Sequence, residues 1–233
     1  MFLPYADEPN PYRYTPWVTY GLLAVNVAVY LLVTIPASDL PINWANAQDY
    51  RDFMVSHNAW PRGNAYDLMV FEYGFRMAAF QVSDLLTSMF LHGGFMHLAG
   101  NMLFLWIYGD NIEHRLGRFR FLVAYLVGGM ASCVIYGLMA SDPTIPLVGA
   151  SGAISTVLGG YWVLFPDNRI KCFVVFAPFY VGRLEIKARW VLLFYVLVEN
   201  LLPQLQGTED GVAYGAHLGG FVAGVLVAFI LQI

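Results

Sequence analysis

The sequence predicts an all-α fold, a polytopic bundle of six transmembrane helices, on two observations. Of the 233 residues, 58% are hydrophobic and 12% are charged, whereas about 25% of the residues in a soluble domain are charged. The apolar residues also form long blocks and do not alternate along amphipathic elements. Six blocks approach the roughly 20 residues that a helix needs to cross the hydrocarbon. They cover residues 17–35, 85–108, 119–140, 151–165, 188–202 and 212–233.

The flanks of the blocks refine this prediction. Asp7 and Glu8 against a single Arg13 make a poor signal-peptide start, so we expect the first block to be a retained anchor. The fourth block is short and ends at Pro166, which predicts a helix in the bundle centre that starts below one surface. We therefore expect one membrane domain over residues 1–233.

The connections between blocks are expected to lie in loops or in the headgroup region. Residues 36–84 mix aromatic side chains with scattered charges, a composition typical of a segment at the membrane interface. Residues 172–179 are apolar, but the stretch has only eight residues and contains Pro178. We predict that it lies at the membrane interface and does not cross the membrane.

Basic residues predict the orientation, because basic loops stay in the cytoplasm. Nine lie on one predicted side: Arg13, Arg115, Arg118, Arg120, Arg169, Lys171, Arg183, Lys187 and Arg189. Three lie on the other side: Arg51, Arg62 and Arg76. Both termini are thus predicted to be cytoplasmic. Ser151 then opens its helix from the outer side, and His217 lies at a similar depth.

The composition excludes some classes of function. A formal charge of −4 without clustered Lys and Arg does not provide a surface for nucleic acid, so no nucleic-acid partner is expected. Cys133 and Cys172 lie in different segments without metal-ligand spacing, so we interpret both as structural.

Four polar side chains within the apolar blocks are candidates for chemistry, because hydrocarbon penalises each of them. A serine becomes a nucleophile when a neutral imidazole takes its proton, and Ser151 and His217 are the pair at hand. A helix start at Ser151 would also offer backbone N–H groups to an oxyanion. His97 and Asn101 are four residues apart, hence on one helical face, and can add side-chain donors.

Each of these residues also has a structural interpretation. A serine at a helix start is commonly an N-cap, and glycine neighbours commonly serve close packing. His217 can be an interhelical hydrogen-bond partner, and Asn101 can join two helices. We expect His92 to hydrogen-bond the surrounding loop and Glu199 to lie at the interface without a role.

Four segments together resemble one known family. They are LTSMFLHGGFMHLAGN at 86–101, YGDNIE at 108–113, GASG at 149–152 and AHLGG at 216–220. In this order they are similar to the rhomboid family of intramembrane serine proteases, and the match runs from the second to the sixth block.

The resemblance implies a role for each candidate. Ser151 would be the nucleophile, His217 its base in a dyad without a third acid, and His97 and Asn101 the oxyanion-hole donors. It also implies a rhomboid-like six-span bundle, no cofactor and no metal. The substrates would be single-span membrane proteins that reach the site laterally between spans.

Two positions depart from the family's pattern. Many rhomboids carry Trp-Arg just before the second span, where this chain has Ser83 and Asp84. Some place a tyrosine four residues after the serine to pack on the histidine, where this chain has Ser155. The sequence thus leaves open what orients the imidazole of His217.

Two rival hypotheses remain. The first is a non-catalytic rhomboid-like protein that binds client helices or is a subunit of a larger membrane complex. The second is electron transfer through a haem held by His97 and His217, which leaves Ser151 and Asn101 unexplained. The compact chain favours a bacterial inner membrane as its location, with an organellar membrane as the alternative.

Overall fold

Helices dominate the computed structural model, which describes residues 2–10, 13–176, 180–208 and 211–230. The helices are α1 (Trp17–Ser38), α2 (Gln48–Ser56), α3 (Ala65–Tyr73), α4 (Asp84–Phe90), α5 (Phe95–Leu116), α6 (Arg118–Met139), α7 (Ser151–Leu164), α8 (188–206) and α9 (Tyr214–Ile230). The strands are β1 (Phe2–Glu8), β2 (Arg169–Phe176) and β3 (Tyr180–Lys187). The all-α prediction is therefore wrong in one respect, since a small sheet accompanies the helices.

The sheet is antiparallel with strand order β1-β2-β3. Ile170 and Cys172 on β2 are fully buried and pack into the main apolar core, while the alternate residues Arg169 and Lys171 carry the charges. This is the period-two pattern of a half-buried strand. The interfacial prediction for 172–179 missed it, and residues 177–179 lie outside the described residues.

The number of spans is confirmed only in part. Within the described residues, α1 and α6 have the length and hydropathy of a membrane-crossing helix. The pair α4 and α5 counts as a third if its two bent parts form one span, and α9 is apolar but shorter. The remaining spans of the six-span arrangement stay a prediction.

The second apolar block differs from its predicted continuous helix at 85–108. Helices α4 and α5 meet at an angle of 97°, and the chain turns through Leu91–Gly94, which ends in a glycine pair. Two consecutive glycines interrupt a helix because they lose the most backbone entropy on ordering. As a result, His97 lies in the first turn of α5 and Asn101 in the second.

Two of the helices contain π-helical segments just before a proline. Residues Tyr30–Thr34 of α1 precede Pro36, and residues Tyr195–Leu201 of α8 precede Pro203. A proline ring removes one backbone hydrogen bond and clashes with the carbonyl four residues earlier. A wider π-turn accommodates that defect without ending the helix.

Helix α7 occupies the centre of the molecule, with every residue from Gly152 to Tyr161 buried. Glycines let α9 lie directly against it. A Cβ built on Gly220 would come within 2.1 Å of the Gly152 carbonyl oxygen, and one on Gly224 within 1.9 Å of the Thr156 carbonyl oxygen. Only a residue without a side chain fits such backbone contact.

Glu113 of α5, in the YGDNIE segment, anchors the start of α1. Its fully buried carboxylate accepts hydrogen bonds from the backbone N–H groups of Val18 and Thr19 and from the Thr19 hydroxyl, at 2.7 to 3.1 Å. The first N–H groups of a helix have no partner within the helix, and a carboxylate satisfies them well. This contact fixes α1 against α5.

Candidate active site

The loop that leads into Ser151 lies against the start of α5. Gly149 has φ +123°, and its N–H donates to the Ser88 carbonyl at 2.8 Å. A Cβ at Gly149 would lie 2.7 Å from the His97 ring and 3.7 Å from Asn101 Nδ2. Glycine is required here by both the left-handed backbone and the close ring. The two predicted oxyanion donors therefore flank the residues that precede Ser151.

Ser151 is the first residue of α7 and is half-buried. The N-cap residue is Ala150, and no side chain caps this helix end. Within the described residues, the Ser151 hydroxyl makes no side-chain hydrogen bond. The capping interpretation of Ser151 thus does not describe this helix, and its hydroxyl is free.

His217 lies in the first turns of α9, on the helix that packs most closely on α7. Its Nδ1 is 2.7 Å from Asn200 Oδ1 of α8. No hydrogen bond joins the ring to Ser151 within the part of the chain that the structure describes. Catalytic hydrogen bonds are often long without substrate and shorten in the complex. The ring nitrogen opposite Asn200, Nε2, makes no hydrogen bond among the described residues.

Tyr195, also on α8, packs on the imidazole of His217, where some rhomboids use a tyrosine at the position of Ser155. Its ring is 6.4 Å from the His217 ring at an interplanar angle of 30°, a stacked arrangement. Its hydroxyl is 2.8 Å from Ser155 Oγ. The tyrosine missing after Ser151 is thus replaced by one from another helix, whose hydroxyl contacts the serine that stands in its place.

The sequence did not identify Asn200 or Tyr195 as functional candidates. They are five residues apart, which separates two side chains by roughly 140° around an α-helix of 3.6 residues per turn. In the π-helical segment Tyr195–Leu201, both contact His217. Pro203 was the one signal in the sequence that could have indicated a distorted helix there.

Asn101 carries an unsatisfied donor. The residue is 7% exposed, and its Nδ2 makes no hydrogen bond to any described residue. A buried amide hydrogen without a partner costs about 1–3 kcal/mol. Such a group at the edge of a serine site is suited to receive an oxygen that develops negative charge.

His97 and His92 lie side by side near Asn101. Their rings are 5.1 Å apart in an edge-to-face arrangement, with His97 exposed and His92 fully buried. The Ala150 N–H donates to His92 Nε2 at 3.5 Å, and the His92 carbonyl accepts from Tyr66 at 2.8 Å. The prediction that His92 hydrogen-bonds the surrounding loop is confirmed.

Contacts between loop residues hold the chain that leads to Ser151. His57 Nε2 lies 2.8 Å from an oxygen of Asp142, and the Thr144 hydroxyl contacts both residues. A hydrogen bond to the Phe53 carbonyl and another to Asp142 raise the pKa of His57. Hydrogen bonds from Thr144 and then His57 lower the pKa of Asp142 to about 2. This pair links α2 to the loop before α7.

The described residues contain no group of three or more His, Cys, Asp or Glu arranged to hold a metal ion. Both cysteines are free and buried. The candidate site thus consists of a serine, a histidine, amide and imidazole donors and a stacked tyrosine.

Comparison with known proteins gives one consistent result. The Rhomboid domain family matches residues 79–232. The mitochondrial Rhomboid protein 1 of Saccharomyces cerevisiae is 29% identical over 225 residues, which cover 92% of this chain and 53% of the yeast protein. The human mitochondrial Presenilin-associated rhomboid-like protein is 35% identical over 148 residues, or 61% of this chain and 36% of the relative.

A bacterial relative matches over nearly its whole length. The rhomboid relative YdcA of Bacillus subtilis is 26% identical over 234 residues, which cover 99% of this chain and 96% of that protein. The chain therefore spans only about half of the yeast relative and about a third of the human one, but almost all of the Bacillus protein.

Proposed function

The chain belongs to the rhomboid family, and we propose that it is an intramembrane serine endopeptidase that cleaves transmembrane segments of membrane proteins through a dyad of Ser151 and His217. The supporting observation is the contact between the loop before Ser151 and α5. There Gly149 lies against His97 and Asn101, and the buried Asn101 amide has no other described partner. A free hydroxyl, a free imidazole nitrogen and a free donor are what peptide hydrolysis requires.

In the proposed first step, His217 Nε2 takes the proton of Ser151 as the Ser151 oxygen attacks the scissile carbonyl carbon. The carbonyl oxygen becomes an oxyanion, which Asn101 Nδ2, His97 and the N–H groups at the start of α7 stabilise. Collapse of this intermediate breaks the C–N bond, and His217 gives its proton to the departing amine. The product is an acyl-enzyme on Ser151.

The second step reverses the roles with water. His217 takes a proton from water, and the resulting hydroxide attacks the acyl carbon. The same donors stabilise the second oxyanion, and its collapse returns the proton to Ser151. No cofactor or metal takes part in the proposed reaction.

The proposed substrates are single-span membrane proteins that approach laterally between spans. A transmembrane helix hides its carbonyls in its own hydrogen bonds, so only a locally unwound stretch can reach Ser151. Glycine, serine or proline near the scissile bond favours such unwinding. We do not expect a nucleic-acid partner, because the chain has a formal charge of −4.

The proposed setting is a bacterial inner membrane, with one domain of six spans over residues 1–233 and both termini in the cytoplasm. The bias of basic residues supports the orientation. The near full-length match to a Bacillus protein supports a bacterial membrane, whereas the yeast and human relatives are named as mitochondrial. Immunodetection of tags on intact and permeabilised cells would test the orientation.

The test of the proposed activity is cleavage of a membrane reporter in proteoliposomes. Ser151→Ala and His217→Ala should each abolish cleavage, because they remove the nucleophile and its base. Ser132→Ala is the matched control, since Ser132 is a buried serine of α6 next to α7. It should keep cleavage. Equal cleavage by the parent and Ser151→Ala would contradict the proposal.

A second candidate function is a non-catalytic rhomboid-like protein that binds client helices or belongs to a larger complex. One observation favours it, namely that Ser151 and His217 share no hydrogen bond in the described structure. The same reporter assay separates the two functions. A parent that retains single-span proteins through purification but never cleaves them would support the binding role.

A further inference from the structure

We propose that Asn200 is a positioning residue for His217, and that the π-helical segment Tyr195–Leu201 of α8 is the device that holds it there. This inference rests on the proposed protease function. It extends the two-residue dyad to a third helix, which the sequence motifs in the second, fourth and sixth blocks do not include. Asn200 and Tyr195 of this segment both contact the imidazole ring.

The hydrogen bond between His217 and Asn200 determines which ring nitrogen carries the proton. Asn200 is 2% exposed, and its Nδ2 donates to the Tyr195 carbonyl at 2.8 Å. That bond fixes the amide, so Oδ1 points at His217 Nδ1 at 2.7 Å. An amide oxygen only accepts, hence Nδ1 must carry the hydrogen. The neutral ring then has its lone pair on Nε2, the form that can take a proton from Ser151.

Tyr195 fixes the plane of the same ring. It stacks on His217 with centroids 6.4 Å apart, while its hydroxyl contacts Ser155 Oγ of α7 at 2.8 Å. Ser155 is four residues after Ser151 and is fully buried. The imidazole is therefore held at its edge by an amide and on its face by a phenol, and the phenol is itself attached to the helix of the nucleophile.

The π-helical backbone explains how one segment supplies both contacts. Residues five apart do not share a face of an α-helix. In a π-helix, hydrogen bonds run between residues five apart. The bond from the Asn200 side chain to the Tyr195 carbonyl follows that spacing. Pro203 stabilises this geometry, because its ring clashes with the carbonyl four residues earlier in a regular α-helix.

The decisive variant is Asn200→Leu, which keeps the volume of the side chain but removes its acceptor. Loss of a group that fixes the tautomer of a catalytic histidine costs up to about 10⁴-fold in kcat. We expect the kcat of Asn200→Leu on the membrane reporter to fall at least about 100-fold. KM should stay near the parent value, because Asn200 contacts His217 and not the reporter.

Two further variants separate positioning from a structural role. Asn200→Asp restores an acceptor oxygen and should recover at least about tenfold of the kcat lost in Asn200→Leu. Asn26→Leu is the matched control, because Asn26 is a fully buried asparagine of α1 whose Nδ2 donates to the Leu22 carbonyl at 2.8 Å. It should keep the parent kcat. Should Asn200→Leu not fold, Asn200→Ser provides a side chain too short to reach the ring.

The outcomes distinguish this inference from the proposed function. A parent that cleaves through Ser151, together with Asn200→Leu at the parent kcat, overturns the positioning role alone. The same holds if Asn200→Asp shows no recovery, or if Asn26→Leu loses kcat as severely. A parent that never cleaves contradicts the protease proposal before Asn200 is considered.

Discussion

Asn101 illustrates a stability cost that has a functional use. Its amide is buried beside Gly149 with an unsatisfied Nδ2 hydrogen. Most buried polar groups are hydrogen-bonded, and an unsatisfied donor is consistent with the oxyanion role proposed for Asn101. Proteins retain such groups where function requires them.

If Asn101 is an oxyanion donor, Asn101→Ala should reduce activity without reducing stability. Loss of one oxyanion donor lowers kcat by about 10²–10³-fold. Removing an unsatisfied buried amide offsets the cost of the cavity that it leaves, so the thermal midpoint in detergent should stay near the parent value. Reporter kinetics and a melting curve check the two effects, with Asn26→Ala as the counterpart, because the Nδ2 of Asn26 donates to the Leu22 carbonyl. A large drop in melting temperature with unchanged kcat would refute the assignment.

At the scale of elements, the crossing of α7 and α9 decides whether Ser151 and His217 can meet. The two backbones touch where Gly220 faces the Gly152 carbonyl. His217 is three residues before Gly220, and Ser151 is adjacent to Gly152. Any side chain at the crossing must push the two helices apart and carry the imidazole away from the hydroxyl.

We predict that Gly220→Ala lowers stability by about 1–3 kcal/mol, as overpacked cores do. The new Cβ would lie 2.1 Å from a backbone oxygen, which cannot move aside. Gly21→Ala in α1 is the control, because no atom lies within 4 Å of its added Cβ. The melting temperature and the labelling of Ser151 by a fluorophosphonate probe should both decrease in Gly220→Ala and stay at the parent values in Gly21→Ala. A Gly220→Ala variant with parent-like labelling would show that the crossing does not set the site.

The sequence predicted the helices whose ends are marked by particular residues such as glycine or proline. The fourth block was predicted at 151–165 and the helix is Ser151–Leu164, because a glycine-flanked start and Pro166 define it. The last block was predicted at 212–233 and the described helix is Tyr214–Ile230. Apolar runs of this kind have no alternative to a helix in a membrane.

The sequence did not predict features that depend on long-range packing, on a break in a helix or on a π-helical segment, because hydrophobic periodicity does not report them. Strand β2 buries one face because that face covers the bundle, whereas its short apolar run with Pro178 predicted an interfacial segment. The glycine pair interrupts the second block, but it does not specify the 97° angle between α4 and α5. Asn200 and Tyr195 share a face only because the segment is π-helical, and α-helical periodicity separates them.

At the scale of the whole molecule, Asp7 joins the small sheet to the helical bundle. Its carboxyl on β1 accepts hydrogen bonds from Tyr161 of α7 and from Asn111 of α5. Burial is the main cause that raises the pKa of Asp7 to about 7, and nearby Asp110 raises it further. The native protein therefore holds a proton at this carboxyl that the unfolded chain releases at a lower pH.

The raised pKa of Asp7 predicts how the stability of Asp7→Asn compares with that of the parent as pH changes. The pKa of Asp7 in the native protein exceeds the ordinary aspartate value of 3.8, so native stability decreases as pH rises from about 4 to about 7 and then levels off. Asparagine does not ionise, so Asp7→Asn does not lose stability in this way. Over that interval its free energy of unfolding should rise relative to that of the parent, by a difference on the order of 4 kcal/mol at most. Melting temperatures of parent and Asp7→Asn should thus diverge between pH 4 and pH 8.

Glu8→Gln is the control for this experiment, because Glu8 lies on the same strand with its side chain 57% exposed and paired with Lys171. Its melting curve should follow the parent at every pH. A constant difference between Asp7→Asn and the parent from pH 4 to pH 8 would contradict a buried, proton-holding carboxyl.

The Ser151–His217 dyad is tested most directly by mass-spectrometric location of a fluorophosphonate adduct on the protein in membranes. A dyad predicts one phosphonylated peptide, with the adduct on Ser151, in the parent. The adduct should be absent from His217→Ala, which keeps the hydroxyl but lacks its base. Full labelling of Ser151 in His217→Ala, or an adduct at another serine in the parent, would contradict a Ser151–His217 dyad.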